Sequence, residues 1–173
     1  PAANYVPFMQ TGNLLFTAGQ LPLKDGHLIA TGLLGQDLDA TKGQEAARQC
    51  AVNILAQAKA ALGELERISR IIKITVFVAS APDFTTQHLV ANGASDLLVA
   101  ALGDKGKHAR SAVGVPSLPL NAPVEIEAII EPFKVKVMEP LAFRTRAERE
   151  RVLAAAGWNL FLVPAREVTF DFL

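Results

Sequence analysis

Cysteine is almost missing from this sequence: Cys50 is the only one in 173 residues. A lone thiol excludes an intrachain disulfide and suits a reducing compartment, so a cytoplasmic protein is expected. Excess charge is missing too, since seventeen basic residues balance seventeen acidic ones. With aromatics at only 6%, little would hold a phosphate backbone or stack on bases, and nucleic acid is not an expected partner. No apolar run approaches the ~20 residues that cross a bilayer, so no membrane partner is expected either. The three histidines, His27, His88 and His108, have no HxH or HExxH spacing, which argues against a metal site. There is no GxGxxG or P-loop pattern. "GVPSLP" lacks the second glycine of a nucleophile elbow, so Ser117 reads as a loop serine. The opening "PAANYVPF" has neither the basic nor the apolar region of a signal peptide, and its lack of methionine reads as a trimmed start.

What is present is a globular composition, half hydrophobic and one-fifth charged. "NLLFTAG" reads as a short strand closed by Gly19. "LKDGHLIA" reads as a hairpin turning at Asp25-Gly26. From about Thr41 to Leu62, Ala47, Cys50, Ala51, Ile54, Ala58 and Ala61 recur three or four apart, which predicts a helix with an alanine face. Gly63 is its expected C-cap, and Cys50 falls on its buried face as inert core.

"RIIKITVFVAS" carries the strongest strand signal. Strict alternation puts Ile72, Ile74, Val76 and Val78 on one face and Ile71, Lys73, Thr75 and Phe77 on the other. A second helix is expected from roughly Phe84 to Leu102, ending at Gly103. "ARSAVGV" and "VEIEAIIE" follow as strands around a proline-rich loop. The order β-β-α-β-α-β-β predicts an α+β domain: a mixed sheet with two helices on one face. The strand pattern is complete near Pro132, which predicts one domain over 1–132 and a separate segment over 133–173.

In "ARSAVGV", Arg110 shares a face with Ala112 and Gly114, while Ser111 points the other way. An arginine beside small residues presents a fork of donors to open space, suited to a carboxylate. If this strand pairs with "VEIEAIIE", Arg110 and Glu125 share a face, and a glutamate there can orient water or move a proton. Spacing alone favours the plainer reading, a cross-strand ion pair on a solvated face, of little worth.

"PFMQTGNLLFTAGQLPL", "IIKITVFVASAPDF" and "ARSAVGVPSLP…VEIEAII" together resemble the reactive-intermediate deaminase family (Rid), also labelled YjgF-type or L-PSP endoribonuclease, from about Pro7 to Glu131. The resemblance implies a chorismate-mutase-like α+β fold, a homotrimer with clefts between subunits, and hydrolysis of 2-aminoacrylate-type enamines or imines to 2-keto acids and ammonia. It implies Arg110 as carboxylate clamp and Glu125 as the residue that positions water. Gly19, Phe8, His88, Ser111 and Ala112 would line the pocket around a small 2-imino or 2-keto acid. Phe8 stands where archetypes carry tyrosine, His88 where they carry asparagine, and Ala112 where they often carry cysteine. These departures keep open a non-catalytic ligand-binding or regulatory domain, with endoribonuclease a more distant alternative.

The segment after Pro132 holds five arginines. "TRAERERVLAAAG" predicts a helix at about 144–157, with Thr145 and Glu148 as capping box and Gly157 as C-cap. "EPF", Glu139-Pro140, "TRAERE" and "AG.N.FL" resemble the start of the tryptophanase and tyrosine phenol-lyase family. That implies a fused lyase domain, whose pyridoxal-phosphate lysine would lie beyond this chain; no cofactor is expected within it.

Overall fold

The computed structural model describes residues 4–133. The helix expected at about 144–157 lies outside them. The expected α+β class holds: a five-stranded mixed sheet carries helices on one face.

The chain enters through β1 (Phe8–Thr11) and β2 (Leu14–Thr17), which pair antiparallel. A small hairpin follows, β3 (Leu23–Lys24) and β4 (His27–Leu28). Asp25 and Gly26 turn it with φ of 52° and 82°, the left-handed pair that a two-residue hairpin requires. Helix α1 spans Ala40–Leu62. The Asp39 side chain caps it by accepting from the Lys42 N–H at 2.8 Å. Gly63, at φ 88°, ends it by donating its N–H to the Lys59 carbonyl. The buried stripe of α1 is mostly small (Gly43, Ala46, Ala47, Cys50, Ala51, Ala58), so it lies close against the sheet.

Strand β5 (Ile68–Ala79) is the longest of the sheet and has a neighbour on each side. Strict alternation fails at its start. The register shifts between Ile71 and Lys73, so Ile71 and Ile74 are both buried while Ile72 is 36% exposed. A bulge inserts one residue and flips the faces upstream of it.

The second helix is two pieces, α2 (Gln87–Val90) and α3 (Asn92–Leu102), and Phe84 sits in the turn before them. Gln44 of α1 inserts at the joint, donating its side-chain amide to the Leu89 carbonyl at 3.0 Å.

Strand β6 (Ala109–Val115) runs parallel to β5, and β7 (Val124–Pro132) runs antiparallel to it. The sheet order is β1-β2-β7-β5-β6. Consecutive strands β6 and β7 are therefore not neighbours; β5 lies between them. The core fills the gap between sheet and helices, with Leu15, Ile54, Ile74, Leu98, Ile126 and Ile130 fully buried. The other sheet face, with Phe77, Thr75, Glu125 and Glu127, has no helix over it among the described residues.

Candidate functional site

The register decides where Arg110 points. Arg110 pairs with Ile74, a buried core residue, so its side chain leaves the sheet on the helix side. There it is half-buried and held at two points: Nη1 donates to Ser95 Oγ at 2.9 Å, and Nη2 donates to the His88 carbonyl at 2.8 Å. No ion pair to Arg110 forms among the described residues. Ala112 and Gly114 follow on the same face, and Ala112 packs against the core. Beside Gly114 lies a hollow of about 250 Å³, lined by Ser80, Phe84, Gln87 and Pro116. A Cβ on Gly114 would stand 2.8 Å from Gln87 Nε2 and 2.9 Å from Ser80 Oγ, so glycine keeps that end of the row open.

Glu125 pairs with Phe77, which puts it on the helix-free face. The expected shared face with Arg110 is thus not what the structure has. Alternation on β7 sends Val124 and Ile126 into the core and Glu125 away from it. The intervening β5 adds about 9–10 Å between the two strands. The expectation failed on two counts: the register sets Arg110 level with the core-facing Ile74 and Ala128 but Glu125 level with Phe77 of the opposite face, and strands adjacent in sequence are not adjacent in the sheet. Burial pushes the Glu125 carboxyl above its ordinary value, and the Glu127 carboxylate adds to the push. Gly19 lies against it: a Cβ there would sit 2.7 Å from the Glu125 Cδ, so only glycine lets the carboxylate lie along this backbone.

The remaining candidates divide between the two faces. Ser111 pairs with Thr75 and shares the open face with Glu125. Phe8 pairs with Thr17 and packs on the core at the far edge of the sheet, four strands from Arg110. The His88 residue is exposed, and what it gives the site is its backbone carbonyl. One copy of the chain therefore brings Arg110, Ala112 and the His88 backbone together, brings Gly19 to Glu125, and keeps these two groups apart.

Ser95 and His108 were missed in the sequence. Ser95 Oγ contacts His108 Nε2 at 3.0 Å, and His108 Nδ1 lies 2.6 Å from the Gly106 carbonyl. His108 stands two residues before Arg110, the spacing of one strand face, and that signal could have found it. Ser95 sits in an alanine-rich helix with nothing local to mark it. Among the described residues, no cluster could hold a metal ion, and no helix is long and apolar enough to cross a membrane.

Residues 1–131 match the family described as endoribonuclease L-PSP. The chain belongs to this family. RidA from an Antarctic Psychrobacter and the YjgF gene product of E. coli are among the solved structures of similar fold, so Rid names the same group. Protein TCP17 of Trypanosoma cruzi is 50% identical over 132 residues, covering 76% of this chain and 82% of that protein. The crystal structure of a protein from Agrobacterium tumefaciens is 59% identical, covers 75% of this chain and 82% of its own, and superposes with a TM-score of 0.74. E. coli TdcF, solved with bound serine, is 26% identical at a TM-score of 0.54, covering 75% and 88% of the two chains. A separate match runs over 43 residues: tyrosine phenol-lyase of Nostoc punctiforme is 54% identical there, over 25% of this chain but only 9% of the lyase.

Proposed function

We propose that this Rid domain hydrolyses 2-aminoacrylate and related enamine or imine acids to 2-keto acids and ammonia. The observation that carries the reading is Arg110, a half-buried guanidinium oriented by two hydrogen bonds and without an acidic partner among the described residues. Such a fork suits a ligand carboxylate. The enamine tautomerises to the imine, water adds to the C=N carbon, and the C–N bond breaks to release ammonia and leave the ketone. Glu125 takes the proton from the attacking water and returns it to the departing nitrogen. Its raised affinity for protons fits that role. The step as written calls for no metal and no cofactor.

One copy separates Arg110 from Glu125, so a ligand that reaches both needs surfaces from two copies. The reading therefore includes a homotrimer with its clefts between subunits. β6, an edge strand, and the open sheet face supply the two surfaces. We read the chain beyond Pro132 as the beginning of a fused β-eliminating lyase. Such a lyase would release aminoacrylate beside the domain that consumes it.

A second reading has its own support. The serine bound to TdcF is a stable amino acid, not an enamine, which favours a domain that binds small amino or keto acids without turnover. RNA cleavage, the family's descriptive label, is disfavoured by the balanced charge. The test is turnover of aminoacrylate generated in situ by a lyase, with unmodified protein and Arg110→Ala. The variant should lose about a hundredfold in kcat/KM, the worth of a charge-assisted hydrogen bond or two. No turnover with saturable pyruvate binding would favour the second reading; turnover unchanged by the substitution would overturn the assigned role of Arg110.

A further inference from the structure

The contacts behind Arg110 have a direction. A backbone carbonyl only accepts, so the 2.6 Å contact between His108 Nδ1 and the Gly106 oxygen puts a proton on Nδ1. In the neutral ring Nε2 is then an acceptor, and Ser95 Oγ, 3.0 Å away, must donate its only proton to it. The lone pairs of Ser95 are left for Arg110, whose Nη1 donates at 2.9 Å. The chain runs one way: Arg110 to Ser95, to His108, to the Gly106 carbonyl. Its far end is fixed, because Gly106 is buried against the Leu98 carbonyl with no room for a Cβ. The other arm of the fork is fixed by the His88 carbonyl.

We propose that Ser95 and His108 are positioning residues for Arg110, holding its guanidinium plane through this one-directional chain so that a ligand carboxylate meets a preset fork. The proposal rests on the Arg110 clamp of the preceding reading. Two of the five guanidinium N–H donors are spent on protein acceptors, and the remaining three are aimed by them. A free arginine would lose side-chain entropy on binding; a preset one has already lost it. Ser95 also has no proton to offer a ligand, so it acts through Arg110 and not on substrate.

Two measurements test this on the full chain. First, the ¹⁵N shifts of His108, read at a pH where its ring carries a single proton, should report that proton on Nδ1; the Nε2–H tautomer would overturn the chain whatever the protein does. Second, Ser95→Ala and His108→Phe should weaken pyruvate binding about tenfold, and raise KM for aminoacrylate alike with kcat within about twofold. Ser95→Thr, which keeps the hydroxyl, should restore most of the affinity, which a mere packing role would not predict. If the protein turns over aminoacrylate but these variants leave pyruvate affinity and KM unchanged, the positioning role is wrong and the clamp stands. If the unmodified protein binds pyruvate without turnover, only the deaminase reading fails. If it binds no pyruvate, the clamp and its positioning fail together.

Discussion

Glu125 is where chemistry and stability pull against each other at the scale of one residue. Its folded-state pKa is raised above the ordinary 4.5, first by burial and then by Glu127. The folded state therefore holds its proton over a range in which the unfolded chain has released it. Stability is highest below the unfolded value, falls as pH rises through the window, and stays lowered above it. Glu125→Gln removes that penalty, so the variant should melt higher than the unmodified protein at pH 7 and no higher at pH 4. Turnover should move the opposite way: if the carboxylate takes the water proton, the variant should lose about a hundredfold in kcat. The kcat of the unmodified protein should fall on the acid side with a midpoint above 4.5. Melting curves at the two pH values and a kcat profile check this together. A glutamine variant that melts lower at pH 7 would show that the carboxylate stabilises this face.

Among the elements, the contact between α1 and α3 turns on Gly93. A Cβ there would stand 2.7 Å from the Gln44 carbonyl carbon and 2.9 Å from its Cα, which are backbone atoms of the second turn of α1. Helix propensity alone favours alanine over glycine by about 1 kcal/mol. Overpacking against rigid backbone costs about 1–3 kcal/mol, so the clash should win. Gly93→Ala should unfold at lower urea by a net of up to about 2 kcal/mol, and a stabilised variant would mean that the helices separate freely. Nothing in the sequence marks Gly93, because its constraint comes from a residue 49 positions away. Elements with local causes were legible: the Asp25-Gly26 hairpin, α1 with its alanine face and Gly63 cap, and the alternation of β7. Those with distant causes were not. Strand β1 is a short edge with only partial burial, the β5 bulge is set by its pairing with β7, and the α2–α3 joint is set by Gln44. The site divides likewise. Arg110 beside small residues could be read from period two, and so could Glu125 on a polar face. Their separation could not, because it depends on β5 entering between two strands that are consecutive in the chain and on the registers in which each of them pairs with it.

For the whole molecule, the question is where the Rid domain ends and what it needs for assembly. Strand β7 runs to Pro132, and Phe133 after it also contacts the domain. The Phe133 N–H donates to the Arg67 carbonyl at 2.8 Å, and its ring lies 4.7 Å beneath Lys105 Nζ, a cation–π contact worth about 0.5–1 kcal/mol at an exposed site. A cut after Pro132 forfeits both. The fragment 1–133 keeps them, with every strand of the sheet and all of α1 to α3. Its open face carries Phe77, Thr75 and Glu125, and its β6 edge carries Val113, 45% exposed. Those are the surfaces on which the proposed trimer depends, and none belongs to the segment after Phe133. The fragment should therefore fold, melt cooperatively, bind pyruvate as the full chain does and run as a trimer in light scattering at micromolar concentration. A folded monomer that still binds pyruvate would overturn the cleft between subunits and require Arg110 to work without a second copy. A fragment that does not fold would show that the arginine-rich segment is part of the domain and not the beginning of another.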